Sequence, residues 1–133
     1  MSAKIILPRV LQIGAGASKE VGAILKSMDL HRPLIVTDKI MVQLGYIERI
    51  MECMNDVGIS ADVFDDTVPE PTVNSIRAGV DQVRSGNYDC IIALGGGSPI
   101  DSAKAIAILG KYGGEMRDYK FPRIVDEPGL PII

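Results

Sequence analysis

Short apolar runs alternate with amphipathic stretches along the whole chain. Val10-Leu11-Gln12-Ile13 reads as a strand ending at Gly14. Val21, Ile24, Leu25 and Met28 then recur at helical spacing, with Ser18 as the candidate N-cap. Leu34-Ile35-Val36-Thr37 is the next strand, closed by Asp38. Ile47, Ile50, Met51 and Met54 repeat the helical stripe, and Gly58 supplies a stop. Ala61-Asp62-Val63-Phe64 is a weaker strand, followed by a loop punctuated by Pro69 and Pro71. Val73, Ile76, Val80 and Val83 mark another helix, ended by Gly86. Cys90 to Leu94 is the most apolar strand; Gly95-Gly96-Gly97 follow at once, and Ser98 opens a last helix to about Leu109. The resulting βαβαβαβα order predicts an α/β fold, a parallel sheet with helices on both faces. Strands apolar throughout, such as 90 to 94, fit burial on both sides. There is no internal repeat and no low-complexity segment.

Residues 110 to 129 are rich in Gly, Pro and charge and read as a linker or long excursion. Leu130-Pro131-Ile132-Ile133 then begins another strand-like run. The expectation is that residues 1 to 133 are one domain, truncated from a longer protein.

The chain has 133 residues, and seventeen acids against fourteen bases leave a net charge of -3. The basic residues are scattered singly, which argues against a nucleic-acid or anionic-membrane partner. No apolar run approaches the ~20 residues of a membrane span. The apolar patch before Pro8 lacks signal-peptide architecture. Cys53 and Cys90 fall in a helix and a strand, so two reduced core thiols in a cytoplasmic protein are expected rather than a disulfide framework. Two Cys and one His give no zinc-ligand spacing.

Two glycine loops compete as phosphate binders. Gly14-Ala15-Gly16-Ala17-Ser18-Lys19 follows a strand and opens a helix, with Asp38 downstream, but Lys19 stands where a third glycine would be. The match is weak, and a tight turn before a capped helix is the favoured reading. In Gly95-Gly96-Gly97-Ser98-Pro99-Ile100-Asp101, three glycines clear the way for a pyrophosphate and expose successive amides. Ser98 as N-cap, Pro99 at the first helical position and Asp101 two further on would make a capping box. A helix cap alone needs at most one glycine, so ligand binding is favoured at this loop. Ala103, Ala105 and Ala107 let the helix behind it lie close to the sheet, and Lys104 faces either phosphate or solvent.

The run from Gly95 to Ala105 resembles the GGGSxxDxAKA signature of iron-containing (group III) alcohol dehydrogenases. Gly14-Ala15-Gly16-Ala17, Thr37-Asp38, Pro69-Glu70-Pro71-Thr72 and the final Gly129 to Ile133 agree with that family in order. The resemblance covers essentially the whole chain. It implies a Rossmann-like fold, as in the N-terminal domain of dehydroquinate synthase-like proteins, that binds NAD. By position, Gly95, Gly96, Gly97 and Ser98 would hold the pyrophosphate and Asp38 the adenosine ribose. Pro71 and Thr72 would lie beside the adenine, and Asp101 on the cofactor side of the cleft. Many members carry Asn where this chain has Glu70. The resemblance leaves Gly14 to Ser18 as a turn.

The same resemblance implies hydride transfer between an alcohol or aldehyde and NAD, assisted by a divalent metal, iron or zinc, acting as a Lewis acid. That metal is expected only in the full-length protein, because the family holds it in a helical C-terminal domain that is absent here. His31 reads as an exposed loop residue. These residues alone are therefore expected to bind nucleotide weakly, if at all, and to catalyse nothing. A carboxylate at Asp38 repels a 2′-phosphate, so NAD is expected over NADP. A dehydroquinate-synthase-like or polyol-phosphate enzyme, or a non-catalytic nucleotide-sensing α/β module, remains open, as does a homo-oligomer.

Overall fold

The structure is a computed structural model that describes residues 7–120 and 122–133. Apart from Leu7, the apolar patch before Pro8 lies outside these residues. Helix α1 (Val21–Ser27) precedes strand β1 (Pro33–Val36), which is followed by α2 (Lys39–Gln43) and α3 (Tyr46–Asn55). Strand β2 (Asp62–Phe64), α4 (Val73–Ser85), β3 (Cys90–Ala93) and α5 (Gly97–Tyr112) complete the order. The three strands pair in parallel, in the order β2-β1-β3, with Ile35 of β1 beside Val63 on one side and Ile92 on the other.

The four residues of β1 are all buried, because it has a strand on each side and helices above and below. Successive side chains of a strand point to opposite faces, so one apolar run feeds two cores. Leu34 and Val36 join Phe64, Ile76, Val80, Val83, Ala103 and Ile106 under α4 and α5. Ile35 joins Val21, Leu25, Ile47, Ile50, Met54 and Ile92 under α1 and α3. Both faces of the sheet are thus covered, as the alternation of elements predicts.

The segment Leu130 to Ile133 extends the sheet beyond β3: the Ile91 amide donates to the Pro131 carbonyl at 2.9 Å and the Ile133 amide to that of Ile91 at 3.0 Å. Val10 to Ile13 departs from expectation and forms no strand. It has no ladder partner among the described residues, and Leu11 and Ile13 stand 70% and 85% exposed.

Ser18 is not an N-cap. A 3-10 turn, Ala17–Glu20, runs directly into α1, so no extended residue precedes the helix to offer a capping side chain. The last helix reaches Tyr112 rather than Leu109, and stops at Gly113 with φ +79. The stretch after it is tied back, since Lys111 Nζ and Tyr112 Oη both donate to the Pro128 carbonyl. No helix among the described residues is long and apolar enough to cross a membrane.

Candidate functional site

The chain passes from β1 outward to β2 and then crosses back to β3 on the other side of β1. The loops leaving β1 and β3 therefore part in opposite directions, and a crevice opens at their carboxyl ends, where ligands of open α/β sheets bind. Thr37 and Leu94 form its floor. The buried Thr37 hydroxyl donates to the Leu94 carbonyl at 2.8 Å, and the Leu94 amide donates to the Val36 carbonyl at 3.0 Å. The Thr67 hydroxyl, also buried, donates to the Thr37 carbonyl at 2.7 Å and brings in the loop after β2. A lone threonine in a loop carries no sequence signal, and Thr67 was not among the expected site residues.

A cleft of about 350 Å³ lies above this floor, lined by Asp38, Lys39, Asp66, Pro69, Gly96 and Ser98 among others. Asp38 begins α2: its Oδ1 accepts from the Met41 amide at 2.9 Å, so the carboxylate caps a helix with one oxygen. Its Oδ2 lies toward Gly95, 3.6 Å from where a Cβ at that glycine would sit. Lys39 Nζ contacts Asp66 Oδ1 at 2.9 Å and Asp65 Oδ1 at 3.3 Å. Bonding to Asp66 and then to Asp65 raises the Lys39 ammonium above the usual lysine value.

The three glycines differ in kind. Gly95 has φ +142, and a Cβ there would meet the Pro99 ring at 2.7 Å, so the fold itself requires glycine. Gly96 has φ -84, which any residue adopts, and Gly97 is the first residue of α5; a Cβ on either would meet nothing within 4 Å. Gly96 is the N-cap of α5, and no side chain caps that helix. This corrects the expected role of Ser98, which is the second residue of α5, with Pro99 third; the Ser-x-x-Asp capping box does not form. Proline is accommodated there because first-turn amides have no intrahelical carbonyl to reach. The amides of Gly97 and Ser98 lack intrahelical partners for the same reason.

Of the expected residues, Asp38, Gly96, Gly97 and Ser98 line one cleft, and Gly95 adjoins Asp38. Pro71, Thr72 and Asp101 do not line it. Thr72 instead caps α4, its Oγ1 accepting from the Ser75 amide at 3.1 Å while Ser75 Oγ accepts from the Thr72 amide at 3.1 Å. Asp101 is exposed and pairs with Lys104 at 3.1 Å. In the other glycine loop, Gly14 and Gly16 have φ +139 and +82 and the Ala17 amide donates to the Gly14 carbonyl, a turn as read from the sequence. His31 is exposed and bonded to Asp29 at 2.7 Å. Among the described residues no group of three or more His, Cys, Asp or Glu side chains could hold a metal ion.

Fold and cleft together define the class: a doubly wound α/β protein with a glycine-rich crevice at the switch point of its sheet. More narrowly, the chain belongs to the iron-containing alcohol dehydrogenase family, whose sequence profile matches residues 8–133. It is 34% identical to the NAD-dependent methanol dehydrogenase of Bacillus methanolicus over 127 residues, 96% of this chain and 33% of that protein. A crystal structure of 1,3-propanediol oxidoreductase superposes with a TM-score of 0.91 at 28% identity, covering 99% of this chain and 35% of the other. Sulfoacetaldehyde reductase from Bifidobacterium kashiwanohense, solved in complex with NAD+, gives 0.81 at 27% identity, over 97% of this chain and 35% of that one. The chain thus spans about a third of the length of the relatives it matches.

Proposed function

We propose that this chain is the NAD-binding portion of a metal-dependent alcohol dehydrogenase, which passes a hydride between an alcohol or aldehyde substrate and NAD. The observation that carries the reading is the pair Gly96 and Gly97. Neither backbone angle nor packing requires glycine at these positions, yet both line the crevice at the switch point. A cradle that any side chain would fill is what close approach of a pyrophosphate to backbone needs. The amides of Gly97 and Ser98, at the positive end of the sixteen-residue α5, supply donors to that anion.

Asp38 is assigned to the adenosine ribose. One of its oxygens is committed to the Met41 amide, which leaves Oδ2 to accept from the 2′-hydroxyl and to repel a 2′-phosphate. Pro71 and Thr72 are assigned to the adenine and Asp101 to the cofactor side. The Thr72 hydroxyl is spent on its helix cap, so its methyl and the Pro71 ring would make that contact. The described residues do not fit a catalytic metal, and no step through one is assigned to this chain. The unpaired thiols of Cys53 and Cys90 accord with a cytoplasmic protein.

Titration of the chain with NAD+ at millimolar concentration, followed by amide NMR, tests this reading. The expected result is perturbation of the amides of Asp38 and Gly95 to Ser98. The double variant Gly96→Ala, Gly97→Ala should bind at least about tenfold more weakly while unfolding within about 0.5 kcal/mol of the native chain. Unchanged affinity in that variant would contradict the cradle.

A further inference from the structure

Among the described residues, Lys39 is the one cation that lines the cleft, and it shares that lining with three carboxylates, Asp38, Asp65 and Asp66. Its ammonium is held by two of them, at 2.9 and 3.3 Å. Asp66 is itself fixed, since its backbone bridges to that of Asp38 in an antiparallel pairing. The side chains are largely solvated, Lys39 and Asp66 being about two-thirds exposed, so these ion pairs contribute little to folding. Stability therefore gives a weak reason for two acids to converge on one lysine. Their effect on the cleft is larger: a lysine next to Asp38 would otherwise be a phosphate binder, and here it is turned to its neighbours.

We propose that Asp65 and Asp66 set cofactor choice by sequestering Lys39, so that the ribose end of the cleft rejects a 2′-phosphate. The inference rests on the assignment of Asp38 to the ribose and deepens it. With Lys39 engaged, the lining carries three negative charges and one positive. A 2′-phosphate brings close to two further negative charges at neutral pH. Replacing Asp65 and Asp66 with their amides removes two of the repelling charges and frees an ammonium on the same cleft lining to pair with that phosphate. Asp38 alone, by contrast, opposes the phosphate with one charge, and one of its two oxygens is already turned toward the Met41 amide.

The test compares ADP-ribose with its 2′-phosphorylated form by amide NMR, in the native chain, in Asp65→Asn/Asp66→Asn, and in the triple variant that adds Lys39→Gln. The readout is the ratio of the two dissociation constants. The double variant should shift that ratio toward the 2′-phosphate by about tenfold, and less at high salt, since the charges are solvated. The triple variant should lose most of the gain. No shift in the double variant, or a full gain retained without Lys39, would overturn the proposal. If ADP-ribose failed to perturb Gly95 to Ser98 in the native chain, the nucleotide reading itself would fall, an outcome distinct from a nucleotide that binds with an unaltered ratio.

Discussion

Glu70 has φ +54, in the left-handed region that side chains other than Asn, Asp and Gly enter at a cost of about 1–2 kcal/mol. A backbone requirement thus accounts for the Asn that the family pattern carries there. Glu70→Asn should raise stability by about 0.5–1 kcal/mol, read from the denaturant midpoint. Asp89 is a second residue whose surroundings fix its behaviour. Burial opposes its ionisation, but the His31 and Arg32 amides donate to its two oxygens at 2.7 and 2.9 Å and hold its carboxyl below the usual aspartate value. A carboxyl lowered on folding adds stability above its unfolded pKa, about 3.9, and that stability is lost as pH falls through the folded value. Asp89→Asn should therefore be less stable at neutral pH and show a shallower acid limb in urea melts. An unchanged limb would contradict the role. Cys90 differs again: burial, then the neighbouring Asp89, pushes its thiol far above the ordinary range, so it is inert packing.

Helices α1 and α3 meet at Gly22, where a Cβ would lie 2.3 Å from the Cys53 carbonyl and 3.0 Å from Val57 Cγ2. Backbone cannot swing aside as a side chain can, so the gain in helix propensity from alanine does not offset the clash. Gly22→Ala should cost about 1–3 kcal/mol in a thermal melt; a neutral result would mean that the two helices are free to move apart. The elements themselves were largely legible in the sequence, because strands buried on both faces read as plain apolar runs and helices as stripes. Val10 to Ile13 reads the same way, since composition does not reveal whether a partner strand lies alongside. The start of α5 was misplaced because Ser98 and Pro99 imitate a cap, while the actual N-cap, Gly96, offers no side chain to recognise. Helix α2, only five residues long, is too short to show a period; its one sequence mark is Asp38, the residue that caps it.

At the scale of the whole molecule, the crevice follows from strand order, and the glycine run marked half of it in advance. The other half was not legible, because Thr67, Asp65 and Asp66 come to Thr37 and Lys39 only once β2 pairs with β1. The same order has a consequence for how the chain reaches its native state. The central strand is made first and completed last: β1 begins at Pro33, but its second neighbour ends at Ala93 and the α5 lid on one core ends at Tyr112. Until then an entirely apolar strand lies at an open edge. Closing so long a loop slows folding and leaves early intermediates prone to self-association. A chain stopped at Gly86 should accordingly show no cooperative unfolding and should aggregate on refolding, whereas the 133-residue chain should unfold in one transition. On a ribosome, the central strand would have to wait for most of this sequence to emerge before both its edges and both its faces could be buried.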